Sequence, residues 1–198
     1  AWGLWEKAAP ALLSGVPVVV KPATATAWLT QRMVADVVAA GVLPDGALSV
    51  VCGSSDGLLD ALQPFDLLSF TGSADTARAI REHAAVLRHG VRMNSETDSL
   101  NSALLGPDAT PGSDAFASAV REIVREMTIK SGQKCTAIRR VLVPQEQARE
   151  AADAIASALA AVKVGNPRNE SVRMGSLASR AQANAVREGI GALAGEAK

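Results

Sequence analysis

Tyrosine is absent from the chain, aromatic residues make up only 3% of it, and two cysteines and two histidines occur. Cys52 and Cys135 match neither a disulfide framework nor the paired spacing of a zinc site. His83 and His89 have no partner motif, so no metal site is predicted. Basic and acidic residues balance at 20 each without forming blocks, which argues against nucleic acid or a membrane surface as partner.

The sequence also lacks a long apolar run and a leader. No stretch reaches the roughly 18 residues that a membrane span needs, and the start has no charged segment followed by an apolar core. These absences predict a cytoplasmic protein. The hydrophobic content of 48% is ample for a buried core. Because the chain opens without methionine and stops directly after a helical pattern, we expect it to be an internal segment of a longer protein.

The first half of the chain alternates strand and helix patterns. Strands are predicted over 16–20, 48–52, 67–70 and 91–94, with helices over 4–14, 25–40, 57–62 and 75–86. This alternation predicts an α/β fold built on a doubly wound parallel sheet, with the first strand buried on both faces.

The pattern changes near residues 97–101, where we place a domain boundary between 1–98 and 99–198. Beyond it, strands are predicted over 102–105 and 139–143, and helices over 113–129, 146–161 and 179–194. The apolar stripe of the 113–129 helix indicates that it packs on a core.

Parallel sheets bind ligands beyond the carboxyl ends of their strands. The residues predicted at that edge are Lys21, Gly53, Thr71-Gly72-Ser73 and Glu96. The tripeptide offers backbone N–H groups at a helix start, which suits a pyrophosphate, but Ser73 is equally an N-cap and Gly72 equally a turn former. Lys21 is equally a solvated strand end.

Cys135 is the candidate nucleophile. It follows a predicted helix, lies in a turn led by Gly132 and has Lys134 beside it, and such surroundings favour a thiolate over a thiol. Cys52 ends an apolar strand, and we expect it to be a small buried hydrophobic residue. The tryptophans Trp2, Trp5 and Trp28 are expected to anchor the core.

Several motifs in order resemble the landmarks of the aldehyde dehydrogenase superfamily. They are VVVKP at 18–22, GVLPDG at 41–46, FTGS at 70–73, GQKC at 132–135, and VGNP at 164–167 with MG at 174–175. The stretches NSETDSLNS at 94–102 and GQKCTAIRR at 132–140 are most similar to the branch that serves phenylacetate degradation. Relatives in that branch oxidise semialdehydes of CoA thioesters in aromatic catabolism.

The resemblance implies a reaction and its residues. Cys135 would attack the aldehyde carbon as thiolate, and its backbone N–H would supply half of an oxyanion hole. Glu96 would activate the water that hydrolyses the resulting thioester. Many family members have Gly-Gly after this glutamate, whereas Thr97-Asp98 stand here, and Asp98 is a second carboxylate that could be confused with Glu96. The family's other oxyanion donor, an asparagine, would lie just before Ala1.

The resemblance also implies a nicotinamide cofactor. Lys21, in the Lys21-Pro22 landmark, matches the lysine that bonds the adenosine ribose, Gly53 lies near the adenine, and Thr71, Gly72 and Ser73 match the pyrophosphate turn. Many NAD-preferring members have glutamate at position 24, where it would repel a 2′-phosphate. Thr24 removes that repulsion, which predicts that NADP is accepted and preferred over NAD.

Two alternatives remain open. The enzyme could pass the acyl group to CoA or phosphate instead of water, although the presence of Glu96 argues against that, or the segment could be catalytically silent by itself. The predicted partner is a small-molecule aldehyde, CoA-linked by analogy. A homo-oligomer is expected of the full-length protein, again by analogy.

Overall fold

The structure is a computed structural model that describes residues 2–196, except for the side chain of Trp2. Within that range the helices are α1 (Trp2–Leu13), α2 (Ala27–Ala39), α3 (Ala74–Arg81), α4 (Ala84–His89), α5 (Asp114–Thr128), α6 (Ala148–Ala160) and α7 (Arg180–Glu196). The strands are β1 (Val18–Val20), β2 (Leu48–Val50), β3 (Leu67–Gly72), β4 (Arg92–Thr97), β5 (Ser102–Leu104) and β6 (Arg140–Leu142).

All strand pairing between these elements is parallel. β1 pairs with β2, β3 with β4, and β5 with β6, so the described residues contain three separate two-stranded sheets. Helices connect the strands of each pair, as parallel crossovers require. The prediction of an α/β fold with parallel strands is thereby confirmed.

The chain forms two compact units, Ala1–Asp98 and Ser99–Lys198, called here the N-terminal and C-terminal units. A core in the N-terminal unit joins α1, α2 and β2 through Leu4, Ala8, Val34 and Leu48. The core of the C-terminal unit gathers α5, α6 and the end of β5; its buried members are Leu105, Phe116, Val120, Ile123 and Ala151.

Side-chain caps fix where the helices begin. The Ser113 hydroxyl accepts a hydrogen bond from the Phe116 amide at 3.1 Å and starts α5. α4 starts at His83, whose Nδ1 accepts from the Ala85 amide, and ends at Gly90 with a left-handed φ of 59°. The helix predicted over 75–86 is therefore two helices, because His83 caps the second one.

Three further expectations were wrong. Residues 56–61 form turns instead of the helix predicted over 57–62, since Gly57 adopts a left-handed φ of 74° and interrupts helical geometry. β1 is not buried on both faces: Val18 and Val20 pack on the core, but the Val19 side chain is 61% exposed. Trp28 is 71% exposed and does not anchor the core, whereas Trp5 packs against it.

No helix among residues 2–196 is both long and apolar enough to cross a membrane.

Candidate active site

The carboxyl ends of β1 and β2 bring together four of the predicted cofactor residues. Val20 and Val50 lie opposite each other in this parallel pair, so Lys21-Pro22 and the loop with Gly53 leave the sheet at the same edge. The Thr24 hydroxyl donates a hydrogen bond to the Gly53 carbonyl oxygen at 3.2 Å, which ties the two loops together. Lys21 is half-buried at this edge.

The carboxyl ends of β3 and β4 form a second group. Thr71 lies opposite Glu96 in the parallel register, and Gly72 lies opposite Thr97. Ser73 follows directly and caps α3, accepting from the Thr76 amide at 3.2 Å. The N-cap role left open for Ser73 is therefore present in the structure, and the predicted phosphate turn and the predicted base share one edge of this pair.

Close packing explains why glycine occupies position 72. A Cβ built on Gly72 would lie 2.5 Å from Cζ of Phe70, so any larger residue would displace the ring. Beside this turn, the Ala74 amide at the start of α3 donates to a carboxylate oxygen of Asp98 at 3.2 Å. Asp98 thus binds the first amide of α3, directly after the tripeptide that the sequence assigned to an anionic ligand.

Glu96 is paired with a residue that the sequence did not single out. The Lys7 ammonium on α1 donates to its carboxylate. The Lys7 side chain is 19% exposed and that of Glu96 is 51% exposed, so the carboxylate keeps access to solvent while its lysine partner is mostly covered. The pair distinguishes Glu96 from Asp98, whose carboxylate caps a helix instead.

Cys135, in the C-terminal unit, lies on an exposed turn between α5 and β6. Its carbonyl oxygen accepts hydrogen bonds from the Ser99 hydroxyl at 2.5 Å and from the Asn101 side-chain amide at 2.6 Å. The same Asn101 amide also reaches the carbonyl of Ala137, which is fully buried. The exposed Cys135 therefore lies on a backbone whose carbonyl oxygen is held by two side chains.

The backbone just before Cys135 is strained. Lys130 and Ser131 have left-handed φ values of 52° and 58° although neither is glycine, and Gly132 follows with φ 71°. Each such non-glycine residue costs of order 1–3 kcal/mol and persists only where its surroundings hold it. Two hydrogen bonds provide this support: the Ser131 hydroxyl donates to the Gly175 carbonyl at 2.9 Å, and the Arg139 guanidinium donates to the Gly132 carbonyl at 3.1 Å.

Lys134 does not serve Cys135 in the way the sequence suggested. Its ammonium lies 3.0 and 2.7 Å from the two carboxylate oxygens of Glu126 on α5, so its charge is compensated there. The hydrogen bond from Lys134 is the main cause that lowers the pKa of Glu126 from its ordinary value of 4.5, while partial burial opposes the shift. Glu126 is consequently a carboxylate at neutral pH.

Cys52 contradicts its expected role as a buried hydrophobic residue. β2 ends at Val50, and Cys52 lies exposed in the loop beyond it. Among residues 2–196, no group of three or more histidine, cysteine or acidic residues is arranged to hold a metal ion.

Lys7, Asn101 and Glu126 carry contacts that sequence reasoning missed. Lys7 is remote from Glu96 in sequence, and only the packing of α1 brings them together. Glu126 meets Lys134 across a segment with left-handed residues, a conformation that no hydrophobic period reveals. For Asn101 a signal existed, since a polar side chain next to a predicted strand is placed to bond a neighbouring loop.

These features and the sequence define one class of protein. Residues 3–196 match the model of the aldehyde dehydrogenase family, and the chain belongs to that family. Among individual relatives, it is 63% identical over 98% of its length to the 3,4-dehydroadipyl-CoA semialdehyde dehydrogenase of Aromatoleum evansii. It is 32% identical over 97% of its length to the geranial dehydrogenase of Castellaniella defragrans.

Solved structures show the same fold. Betaine aldehyde dehydrogenase from Staphylococcus aureus in complex with NAD+ superimposes with a TM-score of 0.83 over 96% of this chain, at 25% sequence identity. The chain spans 38% of the length of the Aromatoleum relative, 39% of the Castellaniella relative and 37% of the Staphylococcus chain.

Proposed function

We propose that the complete protein containing this chain oxidises an aldehyde to the carboxylic acid, with NAD(P) as oxidant, through a thioester on Cys135. The observation that carries the proposal is the exposed Cys135 thiol on a turn whose carbonyl is bonded by two side chains. The substrate class, a CoA-linked semialdehyde from aromatic-acid degradation, is inferred from the 63% identity to the Aromatoleum dehydrogenase.

Cys135 is the proposed nucleophile. As thiolate it forms a C–S bond with the aldehyde carbon, and the carbonyl oxygen becomes an alkoxide. The Cys135 backbone N–H then supplies one hydrogen bond to that oxygen. Loss of hydride from the same carbon leaves a thioester, and hydrolysis breaks the C–S bond and restores the thiolate.

Glu96 is the proposed general base for hydrolysis. Its carboxylate is half exposed and can take the proton of an attacking water, which a positioned carboxylate does near neutral pH. Lys7 holds this carboxylate in place through the ion pair on α1. Asp98, whose carboxylate accepts from the Ala74 amide, is the other carboxylate next to this position, and the family resemblance favours Glu96.

The donor set of the N-terminal unit fits a dinucleotide. Lys21 offers an ammonium for ribose oxygens, and the segment of Thr71, Gly72 and Ser73, where β3 ends and α3 begins, offers main-chain groups for a diphosphate. When bound, the nicotinamide accepts the hydride. We therefore assign cofactor binding to the unit of residues 1–98 and the thiol chemistry to that of residues 99–198.

NADP is the proposed preferred cofactor. Thr24 is exposed and neutral, and its hydroxyl bonds the Gly53 carbonyl, so the position at which many NAD-preferring members have glutamate carries no carboxylate here. A neutral residue there leaves room for the charge of a 2′-phosphate.

Replacing Cys135 by alanine in the complete protein tests the proposal. Formation of reduced cofactor from a semialdehyde of a CoA thioester should fall by at least about 10³-fold, since the covalent step is lost. Cys52→Ala is the matched control and should retain activity, because Cys52 is an exposed thiol with no assigned role. Cys135→Ala with activity near that of the control would refute the assignment.

The same assay separates the proposal from acyl transfer. With water as the only acceptor, the proposed enzyme turns over fully and releases the free acid. An enzyme that needs added CoA or phosphate for turnover would instead belong to the acyl-transferring class.

A further inference from the structure

We propose that Glu126 is a positioning residue for Cys135, because its carboxylate bonds the residues on both sides of the nucleophile. The inference rests on the proposed function of Cys135. Lys134 precedes the cysteine and donates to both oxygens of Glu126, at 3.0 and 2.7 Å. Thr136 follows it, and its hydroxyl donates to the nearer oxygen at 3.4 Å.

The Glu126–Lys134 ion pair differs from an ordinary surface pair. The two side chains are 26% and 28% exposed and belong to different elements, the helix α5 and the turn after it. By contrast, Glu122 and Arg125 on the same helix are paired at 63% and 66% exposure. Exposed pairs of that kind contribute little because solvent screens them, whereas a partly covered pair is screened less.

The contacts of Glu126 complete a set of restraints around Cys135. The Cys135 carbonyl is bonded by Ser99 and Asn101, which orients the peptide after the cysteine. The peptide before it, which carries the Cys135 N–H, has its Lys134 carbonyl bonded by the Ala137 amide at 3.0 Å, and Glu126 adds a restraint on the Lys134 side chain. Glu126 therefore reinforces the orientation of this peptide through the Lys134 side chain.

Orientation of this N–H matters for the chemistry. In the thiohemiacetal the N–H must point at the oxygen while the sulfur stays bonded to carbon, so a rotated peptide loses the hydrogen bond at the moment charge develops. Misplacement by about 1 Å can cost on the order of 10²-fold in rate. Binding of cofactor and aldehyde does not depend on this contact, so the loss should appear in the rate of chemistry and leave affinity unchanged.

Glu126→Gln in the complete protein tests the inference, with Glu122→Gln as the matched control one turn earlier on the same helix. The amide keeps the size of the side chain but removes its charge and one acceptor. We expect the single-turnover rate of cofactor reduction to fall by about ten- to a hundred-fold, with KM for aldehyde and cofactor changed less than about two-fold. Amide hydrogen exchange across residues 130–140 should become faster. Glu122→Gln should leave all three unchanged.

A second variant guards against loss of folding in the first. Lys134→Gln should reproduce the Glu126→Gln rate, and the double variant should be no slower than either single one, because both break the same contact. Wild-type rate and exchange in a folded Glu126→Gln variant, or equal effects in Glu122→Gln, would overturn the inference. Cys135→Ala measured alongside keeps the tests distinct: its inactivity with an unaffected Glu126→Gln refutes only the positioning role.

Discussion

Gly132→Ala probes the strained turn that presents Cys135. Gly132 has φ 71°, a left-handed conformation that costs a residue with a Cβ about 1–2 kcal/mol. The added Cβ would also lie 3.1 Å from the carbonyl oxygen of Met127, a backbone atom that cannot rotate away. Together these effects predict a loss of about 2–3 kcal/mol in the free energy of unfolding.

The assay is urea unfolding of the chain followed by circular dichroism, with thermal unfolding in parallel. For a chain of this length the loss corresponds to a fall in Tm of roughly 4 to 12 °C. Gly189→Ala is the control of opposite sign, because Gly189 lies exposed within α7 with open space around it. Alanine there should stabilise by about 0.5–1 kcal/mol. Equal or higher stability of Gly132→Ala relative to the parent would refute the reasoning.

Two other predictions concern cofactor choice and pH. Thr24→Glu in the complete protein should lower kcat/KM for NADP at least about ten-fold relative to NAD, or about 1.4 kcal/mol, because a carboxylate would repel the 2′-phosphate. The control Thr110→Glu, in the C-terminal unit, should leave kcat/KM for both cofactors unchanged. An unchanged ratio of kcat/KM for NADP to kcat/KM for NAD in Thr24→Glu would contradict the cofactor assignment. Because the pKa of Glu126 is lowered in the folded chain, its carboxylate stabilises the folded state at pH values above 4.5, the pKa of the unfolded carboxyl. This stabilisation is lost as the pH falls through the lower pKa of the folded state. Between about pH 5 and pH 3 the Tm of the parent should therefore fall further than that of Glu126→Gln, and parallel curves would contradict the pairing.

The order and type of most elements could be predicted because they depend on local patterns. The apolar stripe of α5 placed a helix that the structure finds within about a residue. The β-branched run ending at Val20 placed a strand, but its burial could not be predicted. A valine such as Val19 is buried only if another element covers it, and that depends on tertiary packing.

The site was predictable as a set of positions and not as a set of contacts. Lys21, Gly53 and Glu96 follow from the rule that strand ends carry ligands, and the structure places each at such an end. The partners of these residues did not follow. Lys134 was expected to act on Cys135, but its ammonium binds Glu126. The left-handed residues Lys130, Ser131 and Gly132 lie just before it. Residue propensities do not predict this conformation for lysine and serine, because it is unfavourable for both.

Trapping the acyl group on Cys135 tests the central claim most directly. In the complete protein with Glu96→Gln, the thioester should form on mixing with aldehyde and cofactor, but its hydrolysis should be slowed because the general base is gone. Mass spectrometry of the digested protein should then show the peptide with Cys135 carrying the acyl mass after one equivalent of reduced cofactor has formed. Acylation at Cys52, or stoichiometric cofactor reduction with Cys135 unmodified at every time point, would contradict the account.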